Sequence, residues 1–284
     1  MKKILIIGNG FLGKRCAAAW PEAILSDKII ASVKDLEDLI DEYKPDSILN
    51  AAGVVGKPNV DWCETHQLET ITGNTVLPIM IAEACQKKNV YLLHIGTGCI
   101  FYGYSADPKG WKESDFGNPS AVYTRSKYAA DLVLATLPNV GIARIRMPID
   151  CIPSLANLID KLASFGRVID VENSVTVVED MVNVFGELLD RQAAGIFHVT
   201  NPGSIKHKEI LQMYRGIVDP DHSNEWITES DLVNEGLAKK KRSNNILQSD
   251  NLEKLGIKMR PVKEAVRDTL EKYARCKQKI ESKQ

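Results

Sequence analysis

The sequence predicts an α/β protein, a doubly wound parallel sheet carrying a smaller C-terminal lobe. Three observations carry that expectation. Short apolar runs alternate with amphipathic helical stretches over residues 1–148. The first run, Lys3 to Ile7, passes directly into Gly8-Asn9-Gly10-Phe11-Leu12-Gly13 and then into a helical stretch. Beyond Pro148 the alternation gives way to shorter, mixed elements. The expected division is therefore a nucleotide-binding domain over 1–148 and a mainly substrate-binding lobe over 149–284, with some elements of the second part returning to the main sheet.

Composition narrows the function classes. The chain has 284 residues, enough for a large core, with ordinary hydrophobic (44%) and charged (26%) fractions. A formal net charge of −1 supplies no bulk attraction to nucleic acid or to acidic membranes, so neither is an expected partner. Six cysteines (16, 63, 85, 99, 151 and 276) show neither paired spacing nor histidine partners. That pattern predicts no metal and no disulfide framework, and fits a reducing, cytoplasmic setting. The N-terminus enters a strand at once, without the look of a signal peptide, and no apolar run has membrane-spanning length.

Taken in order, Ile4–Ile7 reads as a strand buried on both faces. The glycines after it permit a tight turn and close backbone approach, and a helix over Lys14–Trp20 would turn free N–H groups toward a pyrophosphate. This is the Rossmann-type arrangement, and it assigns Gly8, Gly10, Phe11, Leu12 and Gly13 to a dinucleotide. A second strand is expected over Glu22–Leu25. After it, Asp27 would favour NAD(H) through the ribose hydroxyls, whereas Lys28 would pair with the 2′-phosphate of NADP(H); at this point both stay open. Leu36, Leu39, Ile40 and Tyr43 mark a helix and Ser47–Asn50 a third strand. Ala51, Ala52 and Gly53 then offer small residues where backbone can lie against a cofactor. Cys63–Lys88 reads as one long helix that Pro78 should kink or break, with Asn74 by default an ordinary helical asparagine and, as the alternative, one that bonds buried backbone or water near the site. Val90–Ile95 is the fourth strand, and a helix from about Ser120 to Leu137 precedes a fifth at Val140–Ile145. Further on, helices are expected over Val175–Leu189, Lys206–Arg215 and Pro261–Lys279, and strands over Val168–Val171 and Gly195–Thr200.

The stretch from His94 to Lys127 concentrates the chemistry. Tyr123 and Lys127 are spaced to emerge on one face of a helix. A nearby ammonium lowers a phenol's pKa and can also hold a ribose, and a phenol so tuned can protonate a carbonyl oxygen as hydride reaches its carbon. Thr97 would add a second hydrogen bond to that oxygen. Cys99 alone reads as a small buried residue. His94, His198 and His207 read as core or surface residues rather than catalysts. Cys16, Cys85, Cys151 and Cys276 read as structural, and Cys63 as packed.

These features resemble the extended short-chain dehydrogenase/reductases. Ala51-Ala52-Gly53-Val54, Lys57 to Glu64, Thr97-Gly98-Cys99-Ile100-Phe101, Arg144 to Ile149 and Thr200-Asn201-Pro202-Gly203 resemble successive blocks of the nucleotide-rhamnose synthase epimerase/reductases, relatives of dTDP-4-dehydrorhamnose reductase. Glu209 to Arg215 and Arg242 to Asn245 extend the likeness toward the C-terminus. One departure is the first turn, a residue shorter than the family's Gly-x-x-Gly-x-x-Gly. The resemblance implies two reactions in one pocket. A UDP- or dTDP-linked 4-keto-6-deoxyglucose is epimerised at C3 and C5, then reduced at C4 with NADPH. It implies Cys99 and Lys161 as the epimerase pair and Thr97, Tyr123 and Lys127 as the reductase group. Asn59 and Asp61 become candidate substrate contacts, and a homodimer is compatible with it. Rival expectations are a 4-keto-sugar reductase without epimerase activity, and a non-catalytic NADP-binding regulatory subunit.

Overall fold

The computed structural model describes residues 2–57 and 59–282, so Pro58 of the Lys57–Glu64 block lies outside the described residues. Its centre is a six-stranded parallel sheet. The first half contributes β1 (Ile4–Ile7), β2 (Ile24–Ser26), β3 (Ser47–Asn50), β4 (Tyr91–Thr97) and β5 (Val140–Ile145). Helices α1 (Phe11–Ala19), α2 (Val33–Tyr43), α3 (Gln67–Ile71), α4 (Leu77–Lys88) and α5 (Val122–Leu134) connect them.

The second half is built from short pieces. It opens with β6 (Pro148–Ile149), α6 (Leu158–Ser164), β7 (Arg167–Ile169), β8 (Glu172–Asn173) and β9 (Thr176–Val177). Then come α7 (Val178–Arg191), β10 (Gly195–Val199), β11 (Ile205–Lys206), α8 (His207–Ile217) and β12 (Glu225–Ile227). Helices α9 (Glu229–Asn234), α10 (Asp250–Lys254) and α11 (Val262–Glu281) complete it.

The sheet order is β10-β5-β4-β3-β1-β2. The chain leaves β1 toward β2, crosses back and continues through β3, so the winding direction reverses between β1 and β3. Ligands of open α/β sheets bind in the crevice at that reversal, outside the carboxyl ends of the strands. Strand alternation feeds two cores. Ile4, Ile6, Leu49, Leu93 and Ile95 pack with α1 and α7, whereas Leu5, Ile7, Ile48, Leu92 and Ile142 pack with α2, α4 and α5. A third core joins β6, α6, α8 and α11 in the smaller lobe. From the second half, α7 covers one face of the sheet and β10 extends its edge beside β5.

Several boundaries differ from the sequence-based expectation. The first helix begins at Phe11 rather than Lys14, because Gly10 is already its N-cap. The second strand is shifted to Ile24–Ser26. Of the expected helix Cys63–Lys88, the part from Gln67 is helical, as α3, a π-helical turn at Thr72–Val76 and α4, so the break expected at Pro78 is present; its start is replaced by a 3-10 turn at Val60–Glu64. Pro78 lacks the N–H that would bond the Asn74 carbonyl, and a wider turn absorbs that loss. Thr176 and Val177 pair with Pro148 and Ile149 as a strand before α7, in keeping with their β-branched side chains.

Candidate active site

The carboxyl ends of β1 to β5 lie along one edge of the sheet, and each of the five carries a piece of the site. After β1, Gly8 has φ +111°, and a Cβ there would lie 2.4 Å from the Ala52 nitrogen. A Cβ on Gly13 would lie 2.0 Å from the Gly8 carbonyl oxygen, so the turn closes only with glycine at both positions. Gly10, by contrast, faces open space. Phe11, Leu12 and Gly13 open α1, whose N-cap makes no side-chain hydrogen bond. An exposed glycine beside uncapped helical N–H groups fits a dinucleotide pyrophosphate. Ala51, Ala52 and Gly53 form the opposite wall after β3. Lys28, just past β2, is exposed, with its ammonium 3.6 Å from Asp35.

Thr97 ends β4, and its hydroxyl accepts the Cys99 amide at 3.2 Å. Tyr123 enters from the first turn of α5. Burial pushes its phenol above the usual range; the neighbouring Cys99 adds to that, and the Thr97 hydroxyl opposes it. The expected electrostatic coupling from Lys127 is not the arrangement observed. Lys127 Nζ instead donates to the Ile95 carbonyl at 2.7 Å and lies 3.2 Å from His94 Nε2. Burial pulls Lys127 down to about 8, with Asp131 acting the other way. Lys127 reaches back to the strand because β4 runs beneath α5 and leaves a free carbonyl there.

Cys99 is partly buried, and the Arg146 guanidinium donates to its sulfur at 3.4 Å. Arg146 also bonds Ser243 and Asn173 and makes no salt bridge among the described residues. Next to it Met147 takes a left-handed φ of 42°, which turns the chain out of β5 toward the smaller lobe. Lys161, on α6, is exposed, although enough protein surrounds its amine for burial to lower its pKa. It makes no hydrogen bond to Cys99.

The candidate substrate contacts are already engaged within the chain. Asn59 caps the 3-10 turn by accepting the Asp61 amide, and the Asp61 carboxylate holds Arg242 in a two-point pair at 2.8 and 2.9 Å. Sequence reasoning named Arg146, Arg242 and Asn245 only within blocks of family likeness and missed their contacts; Arg242 and Asn245 belong to a strap over 236–245. Asn245 donates to the Gly98 and Phe101 carbonyls, so the strap clamps the turn that follows Thr97. The strap also borders a cleft of about 900 Å3 lined by Tyr102, Tyr104, Asp170, Thr228 and Arg242.

Asn74 is no ordinary helical asparagine. It is fully buried, bonds the Val54 N–H and carbonyl, and reaches Ser126, tying the π-helical turn to the crevice and α5. His94, His198 and His207 are all core residues, and Cys63 is packed. Cys16 and Cys85 are buried thiols pushed up to about 12, whereas Cys151 and Cys276 are partly exposed.

Comparison with known proteins agrees with this architecture. Residues 3–275 match the family model described as RmlD substrate binding domain. A bifunctional dTDP-4-dehydrorhamnose 3,5-epimerase/dTDP-4-dehydrorhamnose reductase of Arabidopsis thaliana is 34% identical over 91% of this chain and 87% of its own. The crystal structure of the L780 UDP-rhamnose synthase from Acanthamoeba polyphaga mimivirus superposes with a TM-score of 0.89 at 30% identity, covering 95% of this chain and 99% of that one. A dTDP-4-dehydrorhamnose reductase of Bacillus anthracis, solved with NADP, shares the fold at 21% identity and a TM-score of 0.78, over 94% and 97% of the two chains. With a family match along nearly its whole length, the chain belongs to the RmlD substrate-binding-domain family and is an oxidoreductase of the Rossmann type.

Proposed function

We propose that this enzyme is a bifunctional 3,5-epimerase/4-reductase that converts a UDP- or dTDP-linked 4-keto-6-deoxy-D-glucose to the nucleotide-L-rhamnose, using NADPH. The observation that carries the reading is the turn on which Thr97 accepts the Cys99 amide. It sets a ketone-polarising hydroxyl and a thiol beside one tyrosine. The similarity to the Arabidopsis bifunctional enzyme and to L780 supports the same reading.

The glycine turn and the 51–53 wall would hold the cofactor, with Lys28 toward the adenosine end. NADPH, when bound, supplies the hydride for C4. Tyr123 donates its proton to the C4 oxygen, and Thr97 hydrogen-bonds that oxygen as charge develops on it. For epimerisation the ketone acidifies the neighbouring C–H bonds. Cys99 takes the proton from C3 or C5, and the electron pair moves onto the C4 oxygen, where Thr97 and Tyr123 steady it. Lys161 returns a proton from the opposite face. Arg146 donates a hydrogen bond to the Cys99 sulfur and so fixes the thiol at the site. Lys161 reaches the sugar if the small lobe closes over the cleft.

Purified protein incubated with NADPH and the unepimerised 4-keto sugar, in UDP and dTDP forms side by side, tests this by NMR of the product. L-rhamnose is the expected sugar. A 6-deoxy-D-sugar would mean reduction alone, and NADPH binding without turnover would mean a regulatory subunit.

A further inference from the structure

Behind the reductase group, five hydrogen-bonding units form a line from the cofactor wall to the sheet. The Ala52 N–H donates to Asn50 Oδ1 at 3.0 Å. That bond orients the Asn50 amide, so its NH2 faces His94 Nδ1 at 3.0 Å. Nδ1 must therefore accept, and a neutral imidazole then carries its proton on Nε2. Nε2 lies 3.2 Å from Lys127 Nζ, which itself donates to the Ile95 carbonyl at 2.7 Å. An ammonium has no lone pair to receive the Nε2 proton, whereas a neutral amine has one.

We propose that at mildly alkaline pH Lys127 is a neutral amine in the free protein, accepting from the Nε2–H tautomer of His94, and that under those conditions it takes up one proton from solvent when NADPH binds. Every bond in the line then points the same way, from Ala52 N–H through Asn50, His94 and Lys127 to Ile95. His94 and Lys127 are both buried, so bulk water does not complete the line. Burial acts in the same direction on both groups, holding His94 well below its ordinary value and Lys127 at about 8. The charged groups around Lys127 do not replace the missing positive charge. Tyr123, one turn earlier on α5, is a neutral phenol raised by burial. Asp131, one turn later, is paired at 2.8 Å with Arg144 of β5. NADPH would bring phosphate charge and ribose acceptors to the crevice, which favour an ammonium. The uptake step rests on the NADPH site proposed above; the protonation of the free protein does not. His94 and Asn50 are in this account positioning residues that act through Lys127.

Nitrogen-15 NMR of the free wild-type protein reads both groups directly. The expected result is a protonated Nε2 and bare Nδ1 on His94, with Lys127 titrating near 8. An Nδ1–H tautomer, an imidazolium, or a Lys127 midpoint near the ordinary value of about 10.4 overturns the proposal. Asn50→Asp supplies an acceptor to Nδ1 and should reverse the tautomer, raising the Lys127 midpoint by more than about one unit, a tenfold change in its protonation ratio. An unmoved midpoint in the folded variant refutes the line, and the wild-type resonances decide where the variant does not fold. Calorimetry of NADPH binding at about pH 9, in buffers of different ionisation heat, should show close to one proton taken up, against almost none in Lys127→Met. Equal uptake in both overturns the second half. NADPH that does not bind at all refutes the cofactor reading and leaves the NMR result to stand alone.

Discussion

Arg144 and Arg146 lie two residues apart where β5 leaves the sheet, both almost fully buried, and their surroundings differ in kind. Arg144 donates to the Asp131 carboxylate at 2.8 Å, a buried ion pair that joins β5 to α5. Arg146 has no carboxylate among the described residues. Its donors go to Ser243, Asn173 and the Cys99 sulfur, and its Nε is left without a partner. A buried cation without a counter-ion is costly, and native proteins retain such groups mainly where function uses them. One arginine therefore serves the fold, and the other holds a thiol at the site by a hydrogen bond.

Removing the thiol should have the largest effect and confine it to the Arg146 side. Cys99→Ser is expected to abolish epimerisation while reduction of pre-epimerised substrate continues; equal loss of both rates would refute the role given to Cys99. On the Arg144 side the cost should fall on stability. Asp131→Ala strands a buried guanidinium and should lower the unfolding free energy by about 3–5 kcal/mol, read from urea midpoints. Arg146→Met leaves only neutral acceptors unsatisfied and should cost about 1–3 kcal/mol, with an accompanying loss of epimerase activity. If Arg146→Met proved the more destabilising and spared epimerisation, the comparison would be inverted.

A pH dependence follows, and each arginine has a buried histidine within reach of its charge. Burial lowers His198 to about 3, with Arg144 adding to the shift, and His207 to about 4, with Arg146 contributing. Unfolded histidines protonate near 6.5, so between about 6.5 and about 4 the unfolded state binds more protons than the folded one. Stability therefore falls as pH drops through that window, by about 1.4 kcal/mol per pH unit for each such histidine. Urea midpoints at about pH 7 and about pH 5 measure it. Replacing His207 with Gln should flatten the slope.

What the sequence made legible was local. The glycine turn, Thr97 at a strand end, and Tyr123 with Lys127 on one helix face each follow from spacing within a few residues. The Rossmann order follows from the alternation of apolar runs. The strap at 236–245 was not legible as part of the site, because its partners are remote. Arg146 and Ser243 stand 97 positions apart, and Arg242 and Asp61 stand 181 apart. The local break expected at Pro78 in the Cys63–Lys88 helix is present as a π-helical turn, whereas the late start of that helix, at Gln67, carried no local signal. His94 and Asn50 carried a weak signal, a polar residue in each of two apolar strands. Only strand register, which pairs Asn50 with His94, shows that they face one another.

In the proposed function one pocket both moves protons at carbon and reduces the ketone. The most direct test is turnover of the unepimerised 4-keto sugar with NADPH in deuterated water. Deuterium at both C3 and C5 of an L-rhamnose product is the predicted result. A reduced sugar that keeps its original configuration and carries no deuterium at either carbon would contradict it.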